Sequence, residues 1–240
     1  SLAATNVPLI ISTGAATLDE VSRAVEWLKP AHERLALLQC VSSYPTPFAQ
    51  AALGGIPAIQ QIYPGPVGYS DHTPERFAGA SAAAMGAVIL EKHFTYDTRA
   101  KGPDHAASLD PAEFAVYVAA AKNDWSLAEK HMPLDEFTNR LKSATDRRLL
   151  ADDFPIGKAV SPIEQDVRRV SRQSIVTTCE IPAGTTITRE MVTFKRPGTG
   201  LAPFLIETIL GRVARTPLPR DTPIDASSCG EVTPSAGTAF

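Results

Sequence analysis

Four short apolar runs, each followed by a few small or polar residues and then a helix-forming stretch, fill the first 130 residues of this 240-residue chain. They lie at residues 8–11, 35–38, 66–69 and 87–90. None of them alternates apolar with polar residues, which is how strands covered on both faces read. Their onsets are 21 to 31 residues apart, the size of a βα unit. The pattern predicts parallel α/β architecture, either a barrel or a doubly wound sheet. A closed (β/α)8 barrel typically takes ~250 residues, so four units amount to half of one.

Two helix starts are well marked. Thr17 with Glu20 forms a capping box that opens an amphipathic run through Trp27 and Leu28. Asp110 followed by Pro111 supplies an N-cap and a first-turn proline, and Phe114, Val118, Ala121 and Trp125 keep helical spacing behind it. From residue 132 to 168 the pattern dissolves into mixed charge, which reads as a connecting segment. Beyond it, residues 174–179 (SIVTTC) are rich in strand formers and PAG at 182–184 is a turn signal. IPAGTTIT at 181–188 and LPRDTPID at 218–225 repeat one pattern at an offset of 37 residues, so a small β-rich domain with two related halves is expected. The resulting division is 1–131, a linker at 132–168, and 169–240.

Charge and cysteine usage narrow the function. Net charge is −3, which argues against a general nucleic-acid binder. Residues 1–168 carry 15 basic and 20 acidic residues, whereas 169–240 carry 8 and 6. No apolar run approaches the ~20 residues of a bilayer span, and the first eight residues lack the features of a signal peptide. Cys40, Cys179 and Cys229 are too few and too scattered for a disulfide framework, so a cytoplasmic location is expected. The chain does not begin with Met, which suggests part of a longer polypeptide.

In parallel α/β folds ligands bind at the carboxyl ends of the strands. The residues there are Ser12 to Gly14, Gln39 to Tyr44, Ser70 to Thr73 and Glu91 to Thr95. Two of these sets hold a histidine just past a strand. His72 and His93 follow consecutive strands and should be neighbours, suited to a Lewis-acid metal that keeps positions open. The alternative is that each is a satisfied core or loop residue. Glu91 and Lys92 should point to opposite faces, one of them towards the helices in an ion pair. Cys40 reads as a buried small hydrophobe, not a nucleophile. Asp104 and His105 lie on a Gly-Pro loop that either closes over a site or is simply solvated. Arg196, in the turn at 195–198, either presents a guanidinium to an anion or is solvated.

Taken together, STGAAT (12–17), CVSSYPTP (40–47), VGYSDHT (67–73), EKHFT (91–95) and GPDH (102–105) resemble the sialic acid synthase (N-acetylneuraminate synthase) family, in that family's order and at about its spacing. The last 70 residues, with PAG (182–184), KRPG (195–198) and LGR (210–212), resemble its antifreeze-like (SAF, β-clip) domain. The resemblance implies the C-terminal half of a (β/α)8 TIM barrel followed by that domain. It implies condensation of phosphoenolpyruvate with N-acetylmannosamine or a related N-acyl hexosamine, or its 6-phosphate. The products are phosphate and a nine-carbon 2-keto sugar acid.

By the same resemblance His72 and His93 are catalytic and bind a divalent metal, manganese first, with magnesium or cobalt as alternatives. Ser70 would help hold the phosphate, and Ser42, Tyr44 and Asp104 would contact the sugar. Arg196 would arrive from the antifreeze-like domain of the partner in a domain-swapped homodimer. Some members carry Asn where Ser42 stands and Met where Ala15 stands, changes that bear on which sugar fits. The glutamate and lysines that the family places on its first strands have no counterpart in these four, so the 240 residues alone are expected to be inactive. A pseudaminic, legionaminic or spore-coat sugar synthase fits the same motifs. A non-catalytic carbohydrate-binding or interaction fragment on the same scaffold is the reading from another class.

Overall fold

A computed structural model describes residues 2–122 and 154–232 and divides into two compact units, 1–165 and 166–240. In the first unit, β1 (Leu9–Ser12), β2 (Leu35–Cys40), β3 (Val67–Asp71) and β4 (Leu90–Lys92) form one parallel sheet in sequential order. Helices α1 (Leu18–Trp27), α2 (Gly55–Ile62), α3 (Ala78–Ala84) and α4 (Pro111–Lys122) follow the strands in turn. Every residue of β2 and β3 is buried, which explains the apolar runs that open them, and the polar residues Gln39, Ser70 and Asp71 come only at their carboxyl ends. The outer face of the sheet packs Leu35, Leu37 and Tyr69 against Val25, Ile56 and Ile59.

Both helix starts form as the sequence predicts. Thr17 Oγ1 accepts from the Glu20 N–H at 3.3 Å while Glu20 Oε2 accepts from the Thr17 N–H at 3.0 Å, closing the capping box. Asp110 Oδ1 accepts from the Ala112 and Glu113 N–H groups at 2.9 Å each. On α4, however, the buried face is Val116, Tyr117, Ala119 and Ala120, while Phe114, Val118 and Ala121 are half-buried. The helix is apolar on nearly all sides, so tertiary packing chooses the face. Tyr117 lies so close to Gly79 of α3 that a Cβ there would collide with its ring. Trp125 lies outside the described residues.

Residues 154–165, expected as part of a connecting segment, belong to the first unit. Phe154 is 3% exposed and meets Phe48 edge to face at 5.4 Å. The carbonyls of Phe154 and Pro155 pass so close to Gly54 that no Cβ fits there. The Lys158 carbonyl then accepts the Leu18 N–H at 3.1 Å, at the first turn of α1. Of the rest of the expected linker, residues 166–168 belong to the second unit, and 132–153 lie outside the described residues.

The second unit begins within α5 (Gln165–Ser171). Two antiparallel ribbons follow, β5 (Ser174–Thr177) with β6 (Val192–Lys195) and β7 (Arg212–Ala214) with β8 (Cys229–Val232), and α6 (Ile206–Ile209) lies between them in sequence. The offset of 37 residues is realised element by element: Val192 begins β6 and Cys229 begins β8. The halves interlock, because Thr186 bridges to Val213 while Pro223 bridges to Val176. At the centre, Ile181 and Leu218 exchange both backbone hydrogen bonds at 2.8 Å. Ile175, Ile181, Ile187 and Ile224, all at most 1% exposed, fill the core. Among the described residues no helix is long and apolar enough to cross a membrane.

Candidate active site

Sheet register decides what meets at the carboxyl end. Cys40 pairs with Ser70 and Ser70 pairs with Glu91, so these three side chains share one face of the sheet. Two residues further along each chain stand Ser42, His72 and His93. Asp71 pairs with Lys92 on the opposite face.

That opposite face is architectural. Lys92 donates to the carbonyls of Asp71 (3.3 Å), Thr73 and Ala107 (3.0 Å), and its ammonium lies 3.7 Å from Asp71 Oδ2. Burial pulls the Lys92 pKa down and pushes that of Asp71 up, and their mutual attraction opposes both shifts. Of the two neighbours, Lys92 is therefore the one in an ion pair. Glu91 faces the other way and accepts from Ser70 Oγ at 2.7 Å.

Beyond the strand ends, the His72 and His93 rings stand 5.2 Å apart and nearly perpendicular, at 85°. Tyr44 lies 4.0 Å from His72 and 5.6 Å from His93, centroid to centroid. His72 is 4% exposed, whereas Tyr44 is 45% exposed at the rim. His72 Nδ1 lies 2.7 Å from the Val41 carbonyl oxygen and 3.7 Å from Cys40 Sγ. A carbonyl only accepts, so Nδ1 carries the proton and Nε2 is left as a lone pair. Burial lowers the His72 pKa, which keeps the imidazole neutral as a metal ligand must be. Burial also raises the Cys40 thiol to about 11, which removes it as a nucleophile at neutral pH. The Tyr44 hydroxyl rises to about 12, chiefly through burial, and stays a hydrogen-bond donor.

The donor set suits a divalent ion. Two imidazoles at adjacent strand ends supply nitrogen donors for such an ion but make an incomplete set, and among the described residues no group of three His, Cys, Asp or Glu is placed to hold one. His72 and His93 are the side chains that would hold it.

The expected residues divide as follows. Ser42, Tyr44, Ser70, His72 and His93 gather at this end of the sheet. Asp104 is exposed on the loop after β4, close enough for its charge to act on Tyr44. Arg196 belongs to the second unit, exposed in the turn after β6.

Two charged side chains at this end, Glu164 buried and Lys158 half-buried, are additions from the structure. Glu164 is 2% exposed, and its Oε1 accepts from the Ala15 and Ser42 N–H groups at 2.7 Å each. Its Oε2 accepts from the Ser161 N–H at 2.9 Å. Lys158 donates to Gln39 Oε1 at 2.8 Å, and burial lowers its pKa to about 8. The sequence carries one local trace of them: Ser161 and Glu164 have capping-box spacing inside the stretch that reads as a connector. The loops they pin are close-packed, for a Cβ at Gly14 would run into Ser42 Oγ.

Comparison with known proteins bears on this end of the sheet and on the second unit. The NeuB family profile matches residues 1–132 and the SAF domain profile matches residues 172–228. The N,N'-diacetyllegionaminic acid synthase of Legionella pneumophila is 34% identical over 214 residues, covering 87% of this chain and 53% of the relative. The N-acetylneuraminate-9-phosphate synthase of Mus musculus is 33% identical over 189 residues, 78% of this chain and 46% of the relative. The chain thus spans about half the length of these curated relatives. Among solved structures, the spore coat polysaccharide biosynthesis protein of Bacillus subtilis matches with a TM-score of 0.76 at 28% identity, over 95% of this chain and 62% of that one.

Proposed function

The chain belongs to the NeuB family and carries an SAF domain, and from that premise we propose that it forms the carboxyl-end half of the active site of a nonulosonic acid synthase. The proposed reaction joins carbon 3 of phosphoenolpyruvate to the aldehyde carbon of an open-chain N-acyl hexosamine, with water entering and phosphate leaving. N-acetylmannosamine, or its 6-phosphate, is the first sugar to test. Relatives named for legionaminic acid and for N-acetylneuraminate 9-phosphate make other N-acyl hexosamines the next.

One observation carries the reading. His72 and His93 are brought face to edge at 5.2 Å, with the protonated Nδ1 of His72 turned away into the Val41 carbonyl. When bound there, a divalent ion, manganese first, supplies a Lewis acid for the aldehyde oxygen. The protein's own part is binding and orientation. Tyr44 lies against His72 at the rim, its ring tilted by 36°, and offers a phenol that stays protonated. Ser70 presents a hydroxyl held by Glu91, and Ser42 lies on the loop fixed by Glu164. Asp104 and, from the SAF domain of a partner in a swapped dimer, Arg196 would complete contacts to the sugar.

The experiment is phosphate release and product mass from phosphoenolpyruvate, N-acetylmannosamine and manganese, using the protein as purified from its own cells, with His72→Ala and His93→Ala beside it. Loss of product in both variants supports the assignment, and turnover unchanged by either overturns it. For the 240 residues alone we expect no turnover but a rise in melting temperature with manganese that both variants abolish. Sugar binding without any manganese response would instead favour a non-catalytic carbohydrate-binding fragment.

A further inference from the structure

The peptide unit joining Val41 to Ser42, just past β2, is held from both sides. Its carbonyl oxygen receives His72 Nδ1–H at 2.7 Å, and its N–H donates to Glu164 Oε1 at 2.7 Å. A buried carboxylate accepting from a peptide N–H aligns and polarises that unit, which makes its carbonyl a stronger acceptor. Glu164 is itself anchored by the Ala15 and Ser161 N–H groups, so the carboxylate cannot swing away without releasing the loop after β1 and its own capping turn.

We propose that Glu164 is a positioning residue for His72, acting through the Val41–Ser42 peptide. The line runs carboxylate, N–H, carbonyl, Nδ1–H, and its outcome is a ring fixed in orientation with Nε2 kept free at the strand ends. Imidazoles that bind metals usually donate their other N–H directly to a carboxylate or a carbonyl. In this arrangement the carboxylate stands one peptide further back and is delivered by a segment 122 residues away in sequence. The rival role is a plain clasp, in which Glu164 satisfies three loop amides and His72 is indifferent to it.

Nitrogen NMR of isotope-labelled histidine in the metal-free 240-residue chain separates the two. Wild-type His72 should be the Nδ1–H tautomer near neutral pH. In Glu164→Gln, which keeps the size but loses the charge, the Val41 carbonyl becomes the weaker acceptor, and the His72 Nδ1–H resonance should move upfield as its hydrogen bond weakens. Free-manganese resonance should show affinity weaker by roughly tenfold, the lower end for losing such an outer partner. A wild-type Nε2–H tautomer, or an unchanged Nδ1–H resonance in a folded Glu164→Gln variant, overturns the proposal. Only the manganese arm rests on the synthase reading: a shifted Nδ1–H resonance in Glu164→Gln without manganese binding in the wild type keeps the relay and removes the metal. Should Glu164→Gln fail to fold, the wild-type His72 Nδ1–H proton is the one to follow: a far-downfield, slowly exchanging resonance supports the relay, and one at the position of an ordinary imidazole–carbonyl bond overturns it.

Discussion

The two units of this chain are held together at different ranges of sequence. In the second, the stabilising contacts repeat: β6 and β8, the short turns Arg189–Met191 and Ala226–Ser228, and the capping positions Thr188 and Asp225 all recur at the same offset. Its polar side chains are largely consumed by architecture, as where Thr177 Oγ1 donates to the Pro219 carbonyl at 2.6 Å. In the first unit no half repeats another, and Glu164 reaches back 149 residues to Ala15. There the polar groups left over from architecture converge on one end of one sheet. That contrast favours the first unit for the proposed chemistry: a unit whose hydroxyls largely serve turns has less left to offer a substrate.

The largest expected effect comes from removing the return segment's anchor. Phe154→Ala should cost the first unit about 3–5 kcal/mol, the usual range for deleting a buried aromatic ring. Calorimetry should show the transition of the first unit lowered while that of the second stays in place. One transition shifted as a whole would break the division into independently held units.

Next is the repeat itself. Ile187 and Ile224 occupy equivalent positions and are 1% and 0% exposed. Ile187→Ala and Ile224→Ala should each cost about 2–5 kcal/mol and should agree with one another within about 1 kcal/mol if the halves share the load. A gross inequality in denaturant midpoints would mean that only one half forms the core.

What could be read from the sequence follows the same contrast. The four strands, the nearness of His72 and His93, and the opposite facing of Glu91 and Lys92 all follow from local spacing and alternation. The fourth strand is displaced, to Leu90–Lys92 from the apolar run at 87–90, because Gly86 turns the chain at φ 99° and the Ala87 N–H still bonds back to Ala82 of α3. The repeat was legible because it is written twice. Glu164 was not, because a carboxylate whose partners lie 122 and 149 residues away leaves no periodic trace. Its capping-box spacing with Ser161 indicates a turn without indicating what the turn holds. Lys158 was hidden for the same reason, since its partner Gln39 is 119 residues distant.

Lys158 sharpens the comparison through pH. Burial lowers its pKa from 10.5 to about 8 in the folded protein, so between those values the unfolded chain binds the extra proton. Stability of the first unit should therefore rise with pH from about 8 towards 10.5. The gain should be about 1–3 kcal/mol relative to Lys158→Met, which lacks the titration. Denaturant unfolding of the two proteins across that window checks it, and parallel pH profiles would show that the lysine is solvated in the folded state.

The smallest effect tests whether the return segment supports the helix it touches. At the start of α1 the Leu18 N–H is taken by the Lys158 carbonyl at 3.1 Å, while the Glu20 N–H depends on Thr17 Oγ1 at 3.3 Å. Thr17→Ala removes only the second of these, so its cost should be about 0.5–1 kcal/mol, the lower part of the range for a lost cap. Thr17→Ser, which keeps the hydroxyl, should recover nearly all of it. In a Phe154→Ala background the segment no longer shares the helix end, and the same Thr17→Ala change should then cost about 1–2 kcal/mol. Additive costs in that double-mutant cycle would show that α1 is capped independently of residues 154–165. A larger second cost would show that the returning chain serves as part of the cap.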